Sequence, residues 1–300
     1  MLLNLPLSRS KLDRAAHLRG DDEEIAALWQ RAMIIEMLGD RFLTQDNALK
    51  YVAPQDAKGE RYFLGLDQAG TPFFVSHNPH SEPEFPDEFK SLRSIGAQLD
   101  DLQIGAAVHA LALTQWHLSH PKCAKCGANT RSTLAGAVRE CDSCSASHHP
   151  RTDPAVIVLV KDSQDRILLG RQKIWPAKRF STFAGFVEPG ESFESCVARE
   201  VAEECGGTVS EFRYLGSQPW PFPASIMIAY EATISNPESV KADGEEIQEI
   251  VWLTREELKN KSNSGELLMP PLISVARAMI NNWYGPNALH ELSGGETWRN

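Results

Sequence analysis

The chain contains no run approaching the roughly 18 consecutive apolar residues that a membrane-spanning helix needs, so it is expected to be soluble and to have no membrane contact. Its first residues, MLLNLPLSRSKLDRAAH, lack the basic start, long apolar core and small-residue cleavage site of a secretion signal. The closing GETWRN is not a peroxisomal address. Positive charge is also in short supply. A net charge of −10 excludes charge-driven adhesion to nucleic acid or anionic membranes as the main business of the chain, and an anionic substrate would need metal ions between it and the protein. No internal repeat and no low-complexity segment is visible. With 42% hydrophobic and 23% charged residues, wholesale disorder is excluded as well.

What remains is a chain of 300 residues, more than one compact core usually takes, which favours two domains with a small insert. Up to about residue 118 the pattern is helical from about Glu24 to Ile34, then a hairpin in which QAG turns RYFLGLD into TPFFVS, then a proline-rich surface loop (77–89). A helix follows from about Asp101 to His117. Nothing in this region carries chemistry that can be named from its residues. From Asp153 onward the texture changes. PAVIVLVKD, RILLGRQ, STFAGFV, EFRYLGSQ, SIMIAYEATIS and EIVWL read as strands, Thr254 caps a short helix, and PPLISVARAMINNWYG reads as a terminal amphipathic helix. Strands mixed with a few helices imply a sheet between helices.

The six cysteines divide into two close pairs and two isolated residues. Cys123, Cys126, Cys141 and Cys144 form C-x2-C-x14-C-x2-C, the spacing of a four-thiolate zinc site in which each pair grips the metal from a tight turn. Four protein ligands leave no position for water, so one structural Zn²⁺ per chain is expected, with His148 and His149 outside the ligand set. A nucleic-acid-binding ribbon is the rival reading. Five Lys/Arg against two Asp/Glu between His117 and Arg151 make it only mildly basic. Cys196 and Cys205 fall in one predicted helix, about 13 Å apart along its axis and too far for a disulfide. Free thiols beside a thiolate site point to a reducing compartment, the cytoplasm.

The stretch GFVEPGESFESCVAREVAEECGG, residues 185–207, holds most of the chemical information. A loop through Pro189 leads to a helix capped by Ser192, with Glu194 in its first turn and Gly206 at its end. Glu200, Glu203 and Glu204 share one flank at spacings of three and four. Arg199 can pair with Glu203. Such a cluster suits hard divalent cations, Mg²⁺ or Mn²⁺, which bind through carboxylates and substrate phosphates. A solvated acidic face is the alternative.

With Gly185, Glu191, Arg199, Glu200, Val201, Glu203, Glu204 and Gly206 in place, the stretch resembles the Nudix box, G-x5-E-x7-R-E-U-x-E-E-x-G-U, where U is a bulky aliphatic. Only Gly207 departs, where an aliphatic is usual. The resemblance implies hydrolysis of a nucleoside diphosphate linked to another group, on a Nudix α/β/α sandwich with a mixed sheet. It makes Glu200, Glu203 and Glu204 the catalytic residues, with Glu200 and Glu204 as metal ligands and Glu203 as ligand or orienter.

SQPWPFPAS, residues 217–225, is similar to the array that marks the NADH pyrophosphatase subfamily, which also carries a four-cysteine ribbon and a less regular α+β N-terminal domain. The implied boundaries are 1–118, 119–150 and 151–300. Prolines fix φ, so Trp220 and Phe222 are held from a stiff extended segment, either to stack on a base or to fill core. The resemblance makes Gln218, Pro219, Trp220, Pro221, Phe222, Pro223, Ala224 and Ser225 substrate-binding, with Phe186 as a second stacking face. It implies metal contacts from the Ala184 carbonyl and from Glu246 rather than Glu245, and a backbone substrate contact at Ala276. His149 stands where the family has a tyrosine near the substrate. The implied partners are NADH or NAD, cleaved to AMP and nicotinamide mononucleotide, and a second copy in a homodimer. Alternatives are removal of NAD caps from RNA, a housecleaning enzyme for oxidised nucleoside triphosphates, and a non-catalytic dinucleotide sensor.

Overall fold

A computed structural model describes residues 3–80, 82 and 84–292; GETWRN lies outside the described residues. No described helix is long and apolar enough to cross a membrane. The contacts divide the chain into two units, residues 9–152 with 220–224, and residues 3–8 with 153–219 and 225–292.

In the first unit, α1 (Asp22–Trp29) precedes strands β1 (Met33–Leu38), β2 (Arg41–Gln45), β3 (Ala48–Leu49), β4 (Tyr51–Val52), β5 (Glu60–Leu66), β6 (Pro72–Asn78) and β7 (Phe89–Ser91), then helices α2 (Leu92–Ile95) and α3 (Asp101–Ser119). The expected helix through Ile34 ends five residues early. Asp21 caps α1 by accepting from the Glu23 and Glu24 amides, but Met33, Ile34 and Ile35 pair in parallel with Phe73, Phe74 and Val75. An apolar run fits either period; sheet pairing decides it here. The hairpin at QAG forms as expected, with a register shift between Phe63 and Gly65. The ribbon follows, with β8 (Thr130–Thr133), β9 (Val138–Cys141) and β10 (Ser147–His148) in one antiparallel sheet.

The second unit contains β11 (Asp153–Lys161), β12 (Ile167–Gln172), β13 (Phe183–Phe186), α4 (Phe193–Cys205), β14 (Val209–Trp220), β15 (Ser225–Ile234), β16 (Ile247–Leu253), α5 (Arg255–Ser264), α6 (Val275–Tyr284) and α7 (Ala288–Glu291). The strand order is β14-β15-β11-β12-β16, with β13 paired to β11. β11 runs parallel to β15 and antiparallel to β12 and β13, so the sheet is mixed. β11 is buried on both faces. Val156, Val158 and Val160 pack with Cys196, Val197 and Val201 of α4, while Ile157 and Leu159 pack with Leu258 of α5 and Met279, Ile280 and Trp283 of α6. Helices on both faces of a mixed sheet make the expected α/β/α sandwich.

Pairing reveals a repeat that the residues did not. β1 is antiparallel to β2 and β4 and parallel to β6, as β11 is to β12, β13 and β15. β5 lies beside β6 as β14 lies beside β15, and β7 pairs β2 as β16 pairs β12. The expectation of no internal repeat is therefore corrected at the level of topology. The two sheets differ where the chemistry falls, since residues 53–59 join β4 to β5 directly, whereas α4 stands between β13 and β14.

The departure at Gly207 has a steric cause. A Cβ there would lie 2.7 Å from Val201 Cγ1 and 3.5 Å from Ile234 Cγ2, so neighbouring side chains already occupy the space an aliphatic would fill. The Gly207 amide instead donates to the Val201 carbonyl at 3.2 Å, and Gly206, at φ 66°, donates to Ala202, closing α4. Gly207→Val is expected to lower stability in chemical denaturation by about 1–3 kcal/mol through overpacking.

Candidate active site

Ser192 starts α4 by accepting from the Ser195 amide, which fixes the register that places Glu200, Glu203 and Glu204. Arg199, one residue before them, is the hub of the local polar network. Its Nε and Nη2 donate to the two oxygens of Glu191 at 2.8 and 2.9 Å, Nη1 donates to Glu200 at 2.7 Å and to Glu203 at 3.0 Å, and Nη2 also reaches the Phe186 carbonyl at 3.0 Å. The pair with Glu203 was expected; the fork onto Glu191 was not. That guanidinium holds the Glu191 carboxyl down at about 2. Arg199 thus ties the loop after β13 to the helix that follows it.

Gly185 explains why the box begins with glycine. A Cβ on it would meet the Glu200 carboxylate carbon at 1.8 Å, so any other residue would displace that side chain. Ala184 and Gly185 pair with Ile157 and Val156 of β11, which fixes the backbone against which the carboxylate lies. Burial raises the pKa of Glu200 even though Arg199 opposes the shift.

Glu204 is the most perturbed acid of the three. It is 4% exposed, and its Oε2 is enclosed with no hydrogen-bond partner. Burial first, then the charges of Glu246, Glu200 and Asp243, push its pKa up to about 9, against a hydrogen bond from the Ala184 backbone. Among the charges acting on Glu204, that of Glu246 is the strongest. Glu246 Oε1 accepts from Gln172 Nε2 at 2.8 Å, and its amide donates to Asp243 at 3.0 Å. Asp243 escaped the sequence reading; its carboxylate closes the turn before β16 by accepting from Glu246 and Ile247. An enclosed, partnerless carboxylate oxygen has the donor chemistry for a hard divalent cation, although Glu200, Glu204 and Glu246 do not bring their oxygens within 4.8 Å of one another.

The four cysteines are the only His, Cys, Asp or Glu donors among the described residues to gather in a group of three or more within 4.8 Å of one another. Cys123 and Cys144 Sγ lie 3.7 Å apart and Cys126 and Cys141 Sγ 3.4 Å, close to the roughly 3.8 Å edge of a tetrahedron with 2.3 Å Zn–S bonds. Amides of Ser143 and Cys144 approach Cys141 Sγ at 3.4 Å, and the Cys144 amide first, then Ser143, lowers that thiol to about 6. The set suits structural zinc. His148 lies outside it but touches it, with Nε2 3.2 Å from Cys123 Sγ. His149 is exposed beyond the end of β10.

The proline-spaced segment divides. Trp220 and Phe222 pack edge to face, centroids 4.8 Å apart, and the Arg93 guanidinium lies 3.9 Å from the Phe222 centroid and 5.1 Å from that of Trp220. Arg93, unrecognised in the sequence, makes this a cation–π cluster. Pro221 is buried and Pro223 exposed, with Pro219 and Ala224 intermediate, while Ser225 opens β15 opposite Asp153. Gln218 is turned into the fold. It is 0% exposed, its Oε1 accepts from the Leu7 amide at 2.9 Å and its Nε2 donates to the Ile273 carbonyl at 3.0 Å, so its side chain is committed to the fold. Ala276 is likewise buried in side chain, but as the second residue of α6 its amide belongs to the helix end that lacks intrahelical acceptors. Phe186 is 61% exposed, open to a ligand.

Residues 151–270 match the family model described as NUDIX domain, and residues 23–116 match that described as NADH pyrophosphatase-like rudimentary NUDIX domain. The chain is 39% identical over 293 residues to the protein named NAD-capped RNA hydrolase NudC of Mycobacterium bovis, covering 92% of this chain and 94% of that one. This chain belongs to the NADH pyrophosphatase subfamily of Nudix hydrolases. The Mycobacterium tuberculosis protein of the same name is 38% identical over the same shares. The mouse protein named NAD(P)H pyrophosphatase NUDT13, mitochondrial, is 35% identical over 73% of this chain and 66% of its own. As a Nudix pyrophosphohydrolase the chain is an enzyme of a family that generally uses divalent metals. The second match gives the repeated topology its meaning, since the N-terminal sheet is a rudimentary copy lacking the box helix.

Glu204 sets a pH dependence. Its folded pKa, about 9, lies above its ordinary value of 4.5, so the folded state holds a proton that the unfolded chain releases. Its contribution to stability is complete below about 4.5 and is lost as pH rises toward about 9. Chelator-treated protein should therefore become easier to denature between pH 5 and 9, and adding Mg²⁺ at pH 7 should release a proton, read with an indicator dye or by calorimetry in buffers of different ionisation heat.

Proposed function

We propose that the protein is a Mg²⁺- or Mn²⁺-dependent hydrolase of the pyrophosphate bond of NADH and NAD, yielding AMP and nicotinamide mononucleotide. The observation that carries this reading is Glu204 Oε2, an enclosed carboxylate oxygen without a partner, set among the charges of Glu200, Glu246 and Asp243. Glu200, Glu204, Glu246 and the Ala184 carbonyl hold the cations. Bound there, such ions neutralise the pyrophosphate and lower the pKa of a water. Arg199 keeps Glu200 and Glu203 in place from a base fixed on Glu191, and Glu203, with a side chain 59% exposed, orients the attacking water or adds a ligand. Phe186, Trp220 and Phe222 supply ring faces for a nicotinamide or adenine. Pro219, Pro221, Pro223, Ala224 and Ser225 shape that segment, with polar contacts from His149 and the Ala276 amide. Gln218 acts indirectly, by anchoring the end of β14. All six cysteines are free, in keeping with a reducing cytoplasmic setting and a zinc-bound ribbon. A homodimer rests on the subfamily resemblance alone, and light scattering would test it.

Removal of NAD caps from RNA is the second reading, favoured by the mycobacterial relatives named NAD-capped RNA hydrolase and by identical bond chemistry. The sensor reading is opposed by the complete set of box carboxylates.

Purified protein with NADH and Mg²⁺ should release AMP. Glu204→Gln should cut turnover by more than the roughly 100-fold typical of an outer-shell change, while the metal-free variant unfolds no more easily than wild type at pH 7, because glutamine mimics the protonated acid. AMP release unchanged in Glu204→Gln would overturn the assignment. Trp220→Ala should raise KM for NADH by about tenfold with kcat little changed, the loss of one stacking contact. An unchanged KM with easier unfolding would make the rings core.

A further inference from the structure

The segment joining β12 to β13 is basic and starts beside Glu246. Lys173, Ile174, Trp175, Pro176, Ala177, Lys178 and Arg179 include three cations and no acid, in a chain whose net charge is −10. Arg171, just before them, is neutralised by Glu249 at 3.2 Å. Lys173 has no acidic partner among the described residues, and Lys178 Nζ donates to a neutral acceptor, the Gly265 carbonyl, at 3.1 Å, so both charges remain uncompensated by carboxylates. Ile174 is 86% exposed, the most exposed of the large hydrophobic residues described. An isolated exposed isoleucine needs no explanation. One set between uncompensated lysines offers apolar contact to a base and charge to its phosphate.

The anchoring of this loop bears on the reaction. Gln172 Nε2 donates to Glu246 Oε1, and the Lys173 amide donates to the Glu246 carbonyl at 3.1 Å, so the loop begins on the residue assigned above to the metal site. At its far end the Leu268 amide donates to the Lys178 carbonyl at 2.7 Å and Phe180 is buried. The loop is therefore held at both ends, with its exposed residues between.

We propose that residues 173–178 form the binding surface for the RNA chain of an NAD-capped substrate, Lys173 and Lys178 contacting backbone phosphates and Ile174 a base. This rests on the second reading of the function above. In such a substrate the adenosine beside the scissile pyrophosphate is itself the first nucleotide of the transcript, so the next phosphate lies one ribose away from the bond that is cut. A free dinucleotide ends at that ribose and has nothing to place on the loop. The same surface thus discriminates capped RNA from NADH without touching the chemistry they share.

The test compares wild type with Lys173→Glu and Ile174→Ser on NADH and on a short NAD-capped RNA at several salt concentrations, and measures binding of a fluorescently labelled uncapped single strand by anisotropy. Lys173→Glu should raise KM for capped RNA about tenfold and make the salt dependence of RNA binding shallower by about one unit of log–log slope, with kcat/KM for NADH unchanged. Ile174→Ser should raise KM for capped RNA alone, by a smaller factor. Equal losses on NADH and capped RNA would overturn the proposal by making the loop a support for Glu246, as would an unchanged RNA KM and salt slope in Lys173→Glu. If wild type cleaves neither substrate, the function reading fails by itself; the anisotropy slope then still decides whether the loop holds RNA.

Discussion

The site depends on one guanidinium. Arg199 binds Glu191 through a planar fork, reaches Glu200 and Glu203 with its remaining donors, and bonds the Phe186 carbonyl, so loop, helix and strand end are joined at a single side chain. Without it, three carboxylates on one flank of α4 would repel one another and the loop between Gly185 and Glu191 would lose its charged tie to the helix. A lysine could match the charge but not the fork. The cation compensates Glu200 and Glu203 while leaving Glu204, on the buried side of the helix, without a counter-charge. That imbalance leaves Glu204 as the perturbed acid of the cluster.

Burial and charge act against each other around Glu204. The sandwich encloses it between α4 and the sheet, where an ionised carboxylate is unfavourable, and Glu246, Glu200 and Asp243 add repulsion. A proton relieves that repulsion in the metal-free protein, and under the function proposed above a divalent cation would relieve it in the loaded one.

The rudimentary N-terminal copy shows how little of a domain's wiring identifies its activity. Both sheets share the same pairing around a central strand, yet only one has a helix inserted after the strand that β13 and β4 represent in the two copies. The first copy has no counterpart of α4 and so none of its glutamate cluster. After its last strand comes Arg93, which covers the Trp220 and Phe222 rings within the same unit.

Much of this was legible beforehand wherever the signal is local. Ser192 and Gly206 bound α4, Thr254 caps α5, the four cysteines cluster, and the box glutamates fall on one flank, because capping, helical period and metal-ligand spacing act over a few residues. Long-range partners were not legible. Nothing near Gln218 in the sequence announces Leu7 or Ile273 as its hydrogen-bond partners, and nothing near Met33 says that a strand forty residues later will outcompete helix for it. Arg93 over the aromatic pair, Asp243 behind Glu246 and Val201 with Ile234 in the space beside Gly207 are of the same kind. The sequence by itself determined which bond chemistry the chain carries, since ligand type and spacing are written in consecutive residues. Only the tertiary structure decided which carboxylate is buried without a partner and which polar side chains the fold has already claimed, because burial is a property of packing between segments far apart in the chain.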